Sequence, residues 1–112
     1  MKVDFQRASA LAFQAGPRSF GLVHDRAFLH TLDPSEWPTW VDLIAIALKP
    51  SGLMIAKEFA HNPNRHYGPR GFTKSELLQV LDERFRIEEF KESAFRGPRF
   101  AHAAYLLIGR RK

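Results

Sequence analysis

The chain contains no cysteine, which excludes a disulfide framework and any thiolate chemistry. No apolar run approaches the ~20 residues of a membrane-spanning helix. The opening residues, MKVDFQRASALAF, hold no apolar stretch leading to a small-residue cleavage site, so no secretory signal is read and the cytoplasm is the expected location. Internal repeats and low-complexity tracts are missing. No G-x-S-x-G elbow occurs, and adjacent His24 and Asp25 cannot easily serve one serine such as Ser19. His61 and His66 flank Asn62-Pro63-Asn64-Arg65 without the further ligands a zinc site needs, so no metal is expected.

What is present is an ordinary globular composition. A chain of 112 residues with 45% apolar content suits one domain around one core, spanning 1–112. The formal net charge is +5. Arg65 to Arg70 and Arg96 to Arg99 form loose basic loops, and the chain ends Gly109-Arg110-Arg111-Lys112. Acids lie between the other cations, which favours a solvated basic surface over a nucleic-acid face. RNA is the lesser alternative as a partner, and no membrane partner is expected.

Periodicity gives the elements. Residues 2–8 (KVDFQRA) alternate as a short strand does. Gly16-Pro17-Arg18-Ser19 is a turn. Residues 20–24 (FGLVH) are nearly continuous in apolar character, as a buried parallel strand requires. Asp33-Pro34-Ser35-Glu36 opens a helix with proline near its first turn. Trp37, Trp40, Val41, Ile44, Ala45 and Leu48 follow at helical spacing, the two tryptophans as packing residues. Pro50 ends the helix, and Ser51-Gly52 turns the chain into a strand over 53–59 (LMIAKEF). Residues 60–71 form a polar loop long enough to act as a lid. Thr73-Lys74-Ser75-Glu76 is a capping box for a helix that buries Leu77, Leu78 and Leu81, with Phe85 near its end. Residues 86–93 and 102–108 are two more strands, and the short link through Gly97-Pro98 predicts an antiparallel pair.

The resulting order, β-β-α-β-α-β-β, resembles the second half of a class I S-adenosylmethionine-dependent methyltransferase. The resemblance is carried by Ser9-Ala10, then Phe20-Gly21-Leu22-Val23, then His24-Asp25-Arg26 and His30, then Lys49-Pro50-Ser51-Gly52. The Asp25-Arg26 pair and the Gly-Pro loop before the last helix are similar to small-molecule methyltransferases of the thiopurine/tellurite type. The implied fold is a partial Rossmann-like α/β sheet, mostly parallel, finished by an antiparallel strand pair and lacking the family's first two strands. The family's glycine-rich cofactor loop is absent, since no G-x-G occurs. Without those strands, residues 20–24 become an unprotected apolar edge that invites a second chain or a second copy.

Site expectations follow from the rule that ligands in open α/β sheets bind outside the carboxyl ends of strands. The resemblance implies S-adenosylmethionine as cofactor, with Ser9 and Ala10 near the adenine and His24, Asp25 and Arg26 at the strand end. His30 and Glu58 are expected to face a small-molecule methyl acceptor. Each also has a structural role open to it: an ion pair shaping the loop for Asp25 and Arg26, a backbone contact for His30, rim solvation for Lys57 and Glu58. The tips near Asp25 and Glu58 are expected to open onto one hollow. The alternative reading is a non-catalytic module that binds a protein or RNA through its open edge and basic loops.

Overall fold

A computed structural model describes residues 11, 16–64 and 70–112. Four strands and two α-helices occur among them: β1 (Phe20–Arg26), α1 (Trp37–Ala47), β2 (Leu48–Phe59), α2 (Lys74–Asp82), β3 (Phe85–Gly97) and β4 (Phe100–Arg111). The expected strand at residues 2–8 lies outside the described residues. The strands form one mixed sheet in the order β1-β2-β4-β3.

The parallel character is less than expected. Only β1 and β2 run parallel, whereas β2–β4 and β3–β4 are antiparallel. The reason is the short Pro98-Arg99 turn, which cannot carry a crossover. It reverses the chain at once and sends β4 back between β2 and β3. The hairpin is also longer than its apolar pattern suggests, because pairing continues to Gly97↔Phe100 and absorbs most of the expected loop. Phe85, expected near the end of the helix, opens β3 instead and is fully buried.

β2 starts earlier than residue 53. Leu48 pairs with Phe20, and the next pair is Leu22↔Leu53, so residues 49–52 form an excursion within the strand. Ser51 adopts a φ of 61° there. A Cβ on Gly52 would stand 2.8 Å from the Lys49 carbonyl oxygen, so the turn needs glycine at that position.

Both helices cover one face of the sheet. Val41 and Ile44 from α1, Leu77 and Leu81 from α2, and Met54, Ala56 and Leu107 from the strands join a single buried cluster. Along β2 the alternation is strict: Met54, Ala56, Glu58 and Ala60 are buried, while Leu53, Ile55, Lys57 and Phe59 on the other face are half-buried. Among the described residues β1 lies at the edge of the sheet. Phe20 and Leu22 are 46% and 53% exposed.

The helix starts behave as their sequences dictate. Asp33 accepts from the Ser35 N–H, and Glu36 reaches back to the Asp33 N–H, closing a short 3-10 turn (Pro34–Glu36) into α1. At α2, Thr73 Oγ1 accepts from the Glu76 N–H at 3.2 Å and Glu76 Oε1 accepts from the Thr73 N–H at 2.9 Å. Just before it, Gly71 (φ 79°) lets Phe72 bridge to Ala60 and bury its ring against Trp37, with centroids 4.2 Å apart. Replacing Thr73 by alanine removes one half of the box and is expected to cost about 1 kcal/mol, with Thr73→Ser close to the parent; urea unfolding midpoints of the two variants check this.

Candidate functional site

The carboxyl ends of β1 and β2 carry two acids side by side in the chain's one parallel pair among the described residues. Asp25 is paired in register with Ala56, and Glu58 lies two residues beyond that partner. Both project toward the helix layer, where they are 4% and 0% exposed. Buried acids require partners, and the local sequence supplies them.

Asp25 is surrounded by donors. Its Oδ1 accepts from the N–H groups of Phe28 (3.1 Å) and Leu29 (3.3 Å), and its Oδ2 accepts from the Trp40 indole N–H at 2.9 Å. Ala27, with a φ of 63°, makes the bend that turns those N–H groups back toward the carboxylate. Phe28 also packs edge-on against Trp40 at 5.1 Å. The acid therefore ties the end of β1 to the Leu29–Thr31 turn and to α1.

Glu58 faces His30. Its Oε2 accepts from the His30 backbone N–H at 3.2 Å and lies 2.9 Å from His30 Nδ1. The same Nδ1 accepts from the Phe59 N–H at 3.0 Å, which commits its one lone pair to the backbone and leaves no proton there for an ion pair with Glu58. Burial raises the Glu58 pKa from 4.5 to about 10, and the nearby Asp25 carboxylate adds to it by hydrogen bond and by charge. The His30 and Leu29 N–H groups pull the other way without prevailing. Glu58 Oε1 has no hydrogen bond within ordinary geometry among the described residues. At neutral pH Glu58 is thus the protonated member of the cluster.

The structure brings together Asp25, His30 and Glu58, and adds Trp40, which spacing alone presents only as a packing residue. The strand tips meet as expected, and side chains fill the space between them. His24 and Arg26 alternate onto the opposite, exposed face of β1. Ser9, Ala10 and His66 lie outside the described residues. Lys57 and Glu58, expected on a common rim, are on opposite faces. Lys57 joins Arg26 above the Phe95 ring, with Lys57 Nζ at 4.8 Å and Arg26 Cζ at 5.1 Å from the centroid. Strict alternation along β2 could have separated them. Among the described residues no group of three His, Asp or Glu could hold a metal ion, and no helix is long and apolar enough to cross a membrane.

Comparison with solved structures places this fold. A SAM-dependent methyltransferase from Methanosarcina mazei matches with a TM-score of 0.80 at 19% identity, over 98% of this chain and 68% of that one. The N-methyltransferase NodS from Bradyrhizobium japonicum, in complex with S-adenosyl-L-homocysteine, matches with 0.74 at 19% identity, over 93% and 52%. The 1,6-didemethyltoxoflavin-N1-methyltransferase from Burkholderia thailandensis, with 1,6-didemethyltoxoflavin and S-adenosylhomocysteine bound, matches with 0.74 at 21% identity, over 94% and 49%. The structural neighbours are class I SAM-dependent methyltransferases. The chain spans about two thirds of the first and half of the other two. At such identities the likeness shows a fold, and a fold does not by itself fix an activity. No protein-family model and no curated protein matches the chain.

The Glu58 pKa carries a pH prediction. Its folded value lies above the ordinary one, so the native state keeps a proton that the unfolded chain has released. The stability contributed this way is fully present below the unfolded value of 4.5 and is lost as pH rises toward about 10. Glu58→Gln is expected to flatten this decline, giving a variant that gains on the parent between about pH 5 and about pH 9 in urea titrations. A parent and variant with parallel pH profiles would show that Glu58 does not hold the extra proton.

Proposed function

We propose that this chain is the substrate-side, C-terminal half of a SAM-dependent methyltransferase acting on a small molecule, of the thiopurine/tellurite type. It forms one truncated domain over 1–112 and lacks the first two strands of the complete sheet. The observation that carries this reading is the match of nearly the whole chain to only part of each methyltransferase. The buried acid pair at the ends of the parallel strands gives the matching region a rigid floor where ligands of such sheets bind.

The described residues do not by themselves fit the cofactor. Asp25 directs its oxygens to the protein's own N–H groups, and His24 and Arg26 stand on the other face. No G-x-G is available to approach a nucleotide closely. In this proposal polypeptide outside these 112 residues supplies the glycine-rich loop. Ser9 and Ala10 then border the adenine, and His24, Asp25 and Arg26 line the junction between the halves. His30 and Glu58 support the wall facing the methyl acceptor. The cofactor, when bound, supplies an electrophilic methyl group, and the protein's contribution is alignment and exclusion of water. Calorimetric titration with S-adenosylhomocysteine tests this. Heat is expected only when the chain is mixed with the polypeptide encoded immediately upstream, and silence in that mixture as well would end the assignment.

A second reading is favoured by one observation, the exposure of Phe20 and Leu22 on a strand edge that is unpaired among the described residues. Here the chain is a non-catalytic module that pairs with a protein through β1. Sedimentation equilibrium is expected to show self-association that Leu22→Lys abolishes; a stable monomer at high concentration argues against this reading.

A further inference from the structure

Arg26 and Lys57 are register partners on the two parallel strands. Both rise from the face of the sheet that α1 and α2 leave uncovered. The level they occupy continues through Leu106 to Lys91 across the sheet, so it holds three cations and no acid. Lys91 reaches Glu89 at 3.5 Å, whereas neither Arg26 nor Lys57 forms an ion pair among the described residues. Like charges on adjacent strands oppose sheet formation, so this arrangement gains from an anion.

The two cations also converge. Both heads lie within about 5 Å of the centroid of one ring, Phe95. Phe95 belongs to β3, the edge opposite β1, some three strand spacings or roughly 14 Å across a flat sheet. They meet because the hairpin runs on past the final β2–β4 pair, Phe59↔Ala104, and curls over the strand ends. Phe95 is 7% exposed beneath the two heads. From it a strip of rings leads outward: Phe59 at 5.1 Å, His102 at 5.4 Å from Phe59, and Phe100 stacked on His102 at 5.3 Å. Phe100, at the tip, is 51% exposed.

We propose that this corner binds a small aromatic oxyanion, a carboxylate or phosphate carried on a planar ring. The oxyanion sits between Arg26 and Lys57, and the ring lies along the strip formed by Phe59, His102 and Phe100. A guanidinium presents a planar fork that matches either oxyanion. The Phe95 ring beneath already strips water from one side of both cations and holds them in place. No carboxylate at this level competes for them. The corner shares the strand ends with the methyl-acceptor wall proposed above, yet oxyanion binding needs no methyl donor, so the two assignments fail separately.

Titration of the full chain with benzoate, phenyl phosphate and benzylamine, followed by backbone amide NMR shifts, tests the site. Benzoate or phenyl phosphate is expected to move the amides of Arg26, Lys57, Phe95 and His102, with benzylamine silent. The stronger of the two anions tells a carboxylate source from a phosphate one. Arg26→Gln and Lys57→Gln should each weaken binding by about tenfold. Both are expected to fold at least as well as the parent, since each removes a like-charge neighbour. Affinity of the unmodified chain should also fall between about 20 and about 200 mM NaCl, a readout that needs no variant. Binding of benzylamine as tight as benzoate, or affinity unchanged by both substitutions combined (Arg26→Gln with Lys57→Gln) or by salt, would overturn the assignment. So would silence with both anions alongside tight binding of a short oligouridine, which would make the corner a polynucleotide contact.

Discussion

Two acids buried at the ends of adjacent parallel strands set the terms for everything around them. A single buried carboxylate can be satisfied by N–H groups, and Asp25 is, through Phe28, Leu29 and Trp40. Glu58 beside it is fully buried, and that burial first, with Asp25 second, raises its pKa so that it retains its proton. Glu58 Oε2 in turn accepts from the His30 backbone N–H, and His30 Nδ1 takes the Phe59 N–H. The result links β1, β2, the Leu29–Thr31 turn and the indole on α1 in one network. Removing any member leaves a buried polar group without a partner, which is costlier than losing the bond itself.

The sheet is two-faced. On the helix side, one buried cluster of apolar residues includes Phe72 and Phe85. On the other side, half-buried aliphatics from β2 and β4 meet a patch of cations and rings. An apolar sheet face with an exposed edge strand seldom stays bare. The curl of the β3–β4 hairpin brings Phe95 to the far edge, so the strand ends are enclosed from above by an aromatic arm and from below by the acid network.

Much of this was legible in the order of residues. The capping box at Thr73 and Glu76 is a local device whose partners stand three residues apart, and it forms. The helix over Trp37 to Ala47 follows from its spacing, and the antiparallel pair follows from the short Gly97-Pro98 link. The strand-end position of Asp25 and Glu58 came from the strand-turn-helix pattern together with the family resemblance. Other features were hidden. The parallel fraction was overestimated because β4's insertion between β2 and β3 is a choice of neighbour, which no periodicity encodes. The apolar run at residues 20–24 by itself read as a buried strand, since such a run reads alike at the centre of a sheet and at its edge; the expectation of an exposed edge came from the resemblance, and among the described residues the edge is what is seen. Trp40 looked like packing because its partner, Asp25, lies outside any local window. Arg26 and Phe95 showed nothing of their contact, which joins opposite edges of the sheet.

The sequence by itself determined where helices start, where the chain reverses and which residues alternate across β2, because those outcomes depend on neighbours within a few positions. Tertiary structure alone decided that Glu58 holds a proton, that Trp40 serves Asp25, and that Arg26 and Lys57 share one ring without an acid between them. Each of these depends on burial and on distances between residues far apart in the chain, and both quantities exist only once the sheet has closed around them.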